Sequence, residues 1–366
     1  MRILYVTDRF GGRGGAERHL LQVIRSTCAA GARVAVACGR IDREFELPEV
    51  DETIRVRGLA TSVASSARLA GLAAPLGAAE VVHLQNVMNP VAIVAAAATG
   101  RAVVTVQDHR VFCPGMGKTL PDGTACRRPM SRDACSECLP DRDYRTRTLE
   151  LTWARRDALD GARLVVLSRF MAAELEREGL SGVEVLPPWI EVGEERDDAG
   201  DGFLVGGRLV AHKGVRDATD AWRRAGTGLP LRVAGDGPRA DDLAGTERLG
   251  WLSPGRLRVE LRRARALLFP SVWQEPLGIL ALEALAEGTP VIVADVGGTT
   301  DWSDAGCVRV PPGAIEAMAE ALRRLADDPE AALELGRRGR EMVADRYARA
   351  TIEPRLRALY AEVVAG

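Results

Sequence analysis

Short apolar runs alternate with helix-length amphipathic stretches along nearly the whole chain, and few folds accept that pattern. Runs at 3–7, 33–38, 54–56, 80–84, 102–106 and 163–167 read as strands. Helices are expected from the loop after the first strand through Ala30, near 62–74 and 88–99, from about Arg147 to Leu159, and over 169–178. A second series opens at Phe203-Leu204-Val205-Gly206. It continues with strands at 231–234, 246–249, 266–269, 291–294 and 307–310, and helices near 215–225, 254–263, 313–327 and 329–344. This alternation of strands and helices is the pattern of a doubly wound α/β architecture, with a parallel sheet covered by helices.

The chain has 366 residues, the length of two ordinary domains. Glu191 to Gly202 is acidic, carries glycine and is poor in apolar residues, so it reads as a linker. The expected division is residues 1–190, residues 191–349, and a closing helix over 350–366. No repeat at solenoid period is visible. The two halves read as two Rossmann-like domains with a cleft between them.

Composition narrows the partners. Hydrophobic residues make up 46% and charged residues 27%, the profile of a globular chain, and the net charge of −2 provides no field for nucleic acid. Met1 to Thr7 is too short an apolar run for a signal peptide, and no run of about 18 apolar residues offers a membrane span. The expected location is cytoplasmic, with peripheral membrane contact left open. Seven cysteines, an odd number with four clustered, favour a metal site or free thiols over disulfides in a reducing compartment.

The stretch Pro270 to Val291 carries the most chemistry. It reads as strand end, loop, helix, next strand, with Glu275 in the loop and Glu283 inside the helix. Pro276 fixes the backbone there, and Gly278 lets a ligand approach the first helical amides. Free N–H groups and the helix dipole favour an anion such as a diphosphate. An ordinary buried helix with a loop glutamate is the plainer alternative. Gly206-Gly207-Arg208 to Lys213-Gly214 is a second strand–turn–helix corner. It bears two cations, a planar fork and a point charge, at the edge where open sheets bind ligands. Gly235-Asp236-Gly237-Pro238 is first a turn signal. At Gly297-Gly298, backbone approach to a phosphate or sugar and a plain turn stand level.

Gly207 to Gly214, Gly235 to Pro238, Glu275 to Glu283, Gly288-Thr289-Pro290-Val291 and Gly297-Gly298 fall in an order and spacing that resemble the donor domain of the family-4 retaining glycosyltransferases of the GT-B fold. The resemblance implies that Arg208 and Lys213 bind the donor diphosphate. It implies that Glu275 holds hydroxyls of the transferred sugar and Glu283 the ribose. Amides at Leu277, Gly278 and Ile279 would meet sugar and phosphate, with Gly235 on the same edge. It makes residues 1–190 the acceptor-binding domain and 191–349 the donor domain, with the last helix crossing back to the first.

The first half resembles the family less closely. Gly14-Gly15-Ala16-Glu17 is similar to its glycine loop, which places Gly15 near phosphate and acceptor. Val81 to Asn86 and Val104 to His109 resemble its histidine-bearing strand ends, but Gln85 and Gln107 stand where the family usually has histidine. Gln107 hydrogen-bonds but holds no proton charge. His109, two residues on, is the expected stand-in.

Residues 113–145 break the α/β pattern. Cys113, Cys126, Cys135 and Cys138 end in a Cys-x2-Cys pair, the spacing of a four-thiolate structural zinc site, with free thiols as the alternative. The insert's arginines suit a phosphorylated or acidic acceptor, or a solvated loop. The tail from Ala350 to Val364 places Ile352, Leu356, Leu359, Tyr360 and Val363 on one face.

These readings combine into a metal-independent hexosyltransferase that uses a nucleotide diphosphate sugar. Its acceptor is a hydroxyl on a glycan, lipid-linked or natural-product molecule, and no nucleic acid is involved. Retention of configuration is implied by the resemblance alone. The alternatives are a sugar-nucleotide epimerase of the same fold and a nucleotide-sugar-binding subunit with impaired catalysis.

Overall fold

The structure, a computed structural model, describes residues 1–42, 45–60, 66–239 and 243–366. The chain divides into two compact units. One comprises Met1–Pro121, Cys126–Pro187 and Glu353–Gly366, and the other Asp122–Ala125 and Pro188–Ile352.

The first unit holds a parallel sheet of seven strands: β1 (Arg2–Phe10), β2 (Arg33–Ile41), β3 (Glu52–Arg55), β4 (Val81–Gln85), β5 (Ala102–Val106), β6 (Arg163–Val166) and β7 (Glu184–Val185). Their order is β3-β2-β1-β4-β5-β6-β7, which reverses direction beside β1 and so creates a switch point there. Strands β4 and β5 are buried along their whole length, as a central parallel strand covered on both faces must be. The helices are α1 (Gly15–Ala29), α2 (Ala73–Ala78), α3 (Pro90–Ala97), α4 (Arg142–Asp157) and α5 (Arg169–Arg177). Of the helix expected near 62–74, the first residues lie outside the described ones; the described part is a 3-10 turn, Ser66–Leu72, before α2. Helix α4 begins five residues before the expected Arg147, because the Asp141 side chain accepts from the Tyr144 amide and caps it.

The second unit holds six parallel strands: β8 (Phe203–Gly206), β9 (Leu231–Ala234), β10 (Glu247–Gly250), β11 (Ala266–Phe269), β12 (Val291–Ala294) and β13 (Cys307–Val310), ordered β10-β9-β8-β11-β12-β13. Its helices are α6 (Val215–Ala225), α7 (Pro254–Arg263), α8 (Ile279–Ala286), α9 (Ile315–Asp327) and α10 (Pro329–Arg346), followed by α11 (Arg349–Ala365). Serine or aspartate caps with proline at the first turn start α7 and α10.

The expected apolar face of α11 is buried at all five positions. Tyr360 on that face meets the Tyr5 hydroxyl at 3.2 Å and His83 Nδ1 at 2.5 Å. His83 Nε2 in turn meets Thr105 Oγ1 at 2.7 Å, and Tyr5 meets Thr27 at 3.1 Å. One chain of buried polar contacts thus joins α11 to β1, β4, β5 and α1. Burial, with a smaller push from nearby His19, lowers the His83 pKa to about 3 and keeps the ring neutral.

Candidate functional site

In the second unit the glycines pack against one another's backbones. A Cβ on Gly235 would lie 1.9 Å from the Gly207 carbonyl oxygen, and one on Gly237 would lie 2.5 Å from that of Leu209. The Leu209 amide donates to the Asp236 carbonyl at 2.9 Å, which locks the turn after β8 to the turn after β9. Gly214, in the left-handed region at φ 66°, leaves room for the Pro270 carbonyl, where a Cβ would sit 2.0 Å away. The Val272 amide donates to the His212 carbonyl at 3.0 Å. The 207–214 corner and the Glu275 loop are therefore one braced structure. Gly297 and Gly298 serve the same loop. Their amides donate to Gln274 Oε1 at 2.9 Å and to the Glu275 carbonyl at 2.7 Å. Of the two readings of that glycine pair, the structure supports a turn that positions Glu275.

Within this brace, Glu275 is buried at 3% exposure. Its Oε1 accepts from Lys213 Nζ at 2.6 Å, from Trp273 Nε1 at 2.8 Å and from the Ser271 hydroxyl. Burial alone would raise its pKa. The Lys213 charge and the hydrogen bonds from Lys213, Ser271 and Trp273 outweigh that effect and hold the carboxyl below its usual range. Lys213 lies 5.1 Å from the Trp273 ring centre, so the aromatic face helps hold the ammonium. Arg208 is exposed and close enough to act, with Lys213, on His212, whose pKa falls through burial and then through those two charges. Lys213 and Glu275, to which the family resemblance gives different roles, stand together as an ion pair. Ser271 and Trp273 were missed; both lie in the quoted stretch, but neither forms a motif by itself.

Gly278 caps α8 in the left-handed region at φ 91°, with no side-chain cap bond. A Cβ there would approach Trp302 at 3.1 Å and Phe269 at 3.3 Å. Trp302 donates from Nε1 to the Leu277 carbonyl at 2.7 Å. Ile279 opens the helix, and Glu283 is half-buried one turn further on. A helix start without a side-chain cap, next to a carboxylate and two cations, supplies donors for an anion and acceptors for hydroxyls.

At the strand ends of the first unit, Gly15 begins α1 behind Gly14, which is at φ 97° with nothing within 4 Å of a Cβ. Gln85 closes β4 and Gln107 follows β5. Their amide nitrogens approach the same atom, His19 Nδ1, at 3.0 Å and 2.6 Å. The imidazole bonded to Gln107 is therefore His19 on α1. His109, the expected stand-in, is buried with its ring 5.4 Å from that of Phe112 and 6.2 Å from that of Phe170. His19 was not singled out because a polar residue inside an amphipathic helix carries no spacing signal. Nearby, burial pushes the Asp8 carboxyl up to about 7, against the Met88 amide and the charges of Arg110 and Arg155. Its Oδ2 accepts from Met88 N at 3.1 Å.

The four-cysteine zinc site is not formed. Among the described residues no group of three or more His, Cys, Asp and Glu side chains is arranged to hold a metal ion, and Cys113, Cys126, Cys135 and Cys138 are half-buried free thiols. The insert is anchored by other contacts. Lys118, 2% exposed, pairs with Glu174 on α5 at 2.8 Å and donates to the Arg128 carbonyl at 2.6 Å, while the Met130 amide donates to Glu178 at 2.7 Å. A buried ion pair with a backbone partner thus ties the insert to α5.

Two seven- and six-stranded parallel sheets with these glycine corners define a GT-B architecture. It is similar to sucrose-phosphate synthase of Thermosynechococcus elongatus (TM-score 0.72, 19% identity, 100% of this chain and 99% of that one). It is equally similar to HepE of Anabaena, solved with UDP and glucose (TM-score 0.72, 16% identity, 98% and 99%). The model described as Glycosyltransferase Family 4 matches residues 13–194, and that of Glycosyl transferases group 1 matches 194–342, so the chain belongs to this glycosyltransferase family. Glycogen synthase of Mycobacterium tuberculosis is 34% identical over 160 residues (40% of this chain, 38% of the relative). The 2-deoxystreptamine glucosyltransferase of Streptomyces kanamyceticus is 35% identical over 161 residues (40% and 41%). The matches span about two-fifths of the length of these curated relatives. Among the described residues no helix is long and apolar enough to cross a membrane.

Proposed function

We propose that the protein transfers a hexose-type unit from a nucleotide diphosphate sugar to an acceptor hydroxyl, with retention of configuration and without a catalytic metal. The observation that carries this reading is the Glu275 node. One carboxylate oxygen takes three donors, so the carboxylate is fixed in place beside the uncapped start of α8 and two cations. The relatives named as glucosyltransferase and glycogen synthase, and the neighbour solved with UDP and glucose, support the hexose and the nucleotide.

In this reading Arg208, Lys213 and the amides of Leu277, Gly278 and Ile279 at the start of α8 receive the diphosphate. Their positive charge does the work a divalent cation does elsewhere. Glu275 orients sugar hydroxyls and Glu283 the ribose. The bond between the anomeric carbon and the diphosphate oxygen breaks, and the leaving oxygen takes the proton of the incoming hydroxyl. The acceptor oxygen then bonds the anomeric carbon on the same face.

Release of nucleotide diphosphate on mixing the protein, a nucleotide-glucose panel and candidate acceptors tests the proposal. Acceptor-dependent release with an α-linked product from an α-linked donor is expected. Isomerised donor without acceptor would instead establish the epimerase, and binding without turnover the impaired subunit.

A further inference from the structure

We infer that His19 is a substrate-positioning residue of the first unit: its Nε2–H is a fixed hydrogen-bond donor for a sugar hydroxyl or ring oxygen. The inference rests on the transfer reading above and adds to it a residue outside the motifs quoted from the sequence.

Lone pairs are in short supply at His19 Nδ1. Two amide nitrogens, from Gln107 at 2.6 Å and Gln85 at 3.0 Å, converge on His19 Nδ1. A neutral imidazole nitrogen that accepts has one in-plane lone pair, so both bonds require Nδ1 to be unprotonated. Rotating either amide would bring its carbonyl to Nδ1 and strand buried N–H donors. Among backbone groups unmet N–H donors are rarer than under-satisfied carbonyls, and the same preference favours the observed amide orientation. The observed arrangement leaves the two Oε1 atoms as the unpartnered ones. The two glutamines thus fix the tautomer, and the proton resides on Nε2. Burial lowers the His19 pKa to about 4, so this state persists through neutral pH.

Position supplies the rest. His19 follows the glycine loop of β1, Gln85 ends β4 and Gln107 follows β5. These three strands are adjacent in the order β1-β4-β5, at the carboxyl edge where ligands bind in open sheets. His19 is 7% exposed, and the side-chain hydrogen bonds it makes among the described residues are both at Nδ1, which leaves Nε2 without one. A buried imidazole with a fixed tautomer and an unused donor at that edge suits a neutral oxygen acceptor, the chemistry of a sugar. A phosphate would instead favour a charged ring, which burial here opposes. Glutamine at 85 and 107 is therefore part of the device, since a second and third histidine would compete for the same proton.

The test uses the full chain and its His19→Leu and His19→Asn variants; asparagine keeps an acceptor near the Nδ1 position. Imidazole 15N shifts should show Nδ1 unprotonated and Nε2 protonated from pH 5 to 8. The donor used is whichever of UDP-, GDP-, ADP- or dTDP-glucose raises the melting temperature most. With it, His19→Leu should lower kcat at least 20-fold while the donor KM stays within threefold, because the nucleotide contacts lie in the second unit. His19→Asn should retain the dispersed side-chain amide signals of Gln85 and Gln107 but share the loss of kcat, since it lacks the Nε2 donor. A proton on Nδ1, or turnover of His19→Leu within twofold of the unaltered protein, overturns the inference. If the unaltered protein neither binds nor turns over any of the four donors, the transfer reading fails. The 15N tautomer then decides the His19 geometry separately.

Discussion

At the strand ends of the second unit, Lys213 and Glu275 stand as a charged pair within turns that brace one another. At the strand ends of the first, His19, Gln85 and Gln107 meet as neutral groups, with carbonyls left unpartnered. The first arrangement suits a charged diphosphate, because fixed cations and helix amides cost no reorganisation when the charge arrives. The second offers neutral donors and acceptors, hydrogen-bond partners that a hydroxyl can use without bringing charge. Two parallel sheets of one kind thus carry a charged pair at the strand ends of one unit and a neutral cluster at those of the other.

The largest effect expected from breaking this comparison is at Glu275. Glu275→Ala removes the acceptor of three donors and should lower turnover by roughly 100-fold, with nucleotide diphosphate binding changed far less. Steady-state kinetics beside calorimetric binding separates the two. Equal loss of both would mean that Glu275 serves the nucleotide rather than the sugar.

Gly235→Ala attacks the brace. Its Cβ would meet the Gly207 carbonyl at 1.9 Å, so a backbone shift is unavoidable. Destabilisation of about 2–3 kcal/mol is expected, read as a lower denaturation midpoint. Alanine at Gly100, where a Cβ meets nothing within 4 Å, should cost less and reports only the left-handed φ of 69°.

The neutral network of the first unit predicts an acid-side loss of stability. His19 and His83 have pKa values of about 4 and about 3 in the folded chain against 6.5 when unfolded. Between those values the unfolded chain binds more protons, so their contribution is complete above about pH 6.5 and is lost as pH falls toward 4. Each histidine contributes up to about 1.4 kcal/mol per pH unit. Asp8 acts in the opposite direction: its pKa of about 7 against 3.8 unfolded adds stability that is lost as pH rises toward 7. Denaturation from pH 4 to 7 should show the slope, and His83→Asn should flatten it. An unchanged slope would argue that His83 is not held neutral.

Arg208→Ala is the smallest change. The side chain is exposed and its charge is screened, so nucleotide diphosphate affinity should fall roughly fivefold, about 1 kcal/mol. The salt dependence of binding should weaken with it.

Periodicity and motif spacing made the sheets legible. Strands 102–106, 231–234, 266–269, 291–294 and 307–310 fall where the apolar runs place them. The five-residue apolar face of α11 was equally visible, because helical spacing encodes burial directly. The partners were not. That Lys213 pairs with Glu275, 62 residues away, depends on the crossing of Gly214 over the Pro270 carbonyl, and no local pattern records that. His19 was hidden for the same reason, since its meaning comes from glutamines 66 and 88 residues later. The cysteine insert is the opposite case. Cys-x2-Cys spacing is a local signal, whereas the Lys118–Glu174 anchor that fixes the loop is a distant one.

The central claim is that the second unit's braced edge binds a nucleotide diphosphate sugar. A melting-temperature panel with UDP-, GDP-, ADP- and dTDP-glucose tests it most directly, because a ligand at one hundred times its dissociation constant stabilises the folded state by about 2.7 kcal/mol. The account predicts that at least one donor raises the melting temperature and that Glu283→Ala reduces the rise. A melting temperature unmoved by all four would contradict it.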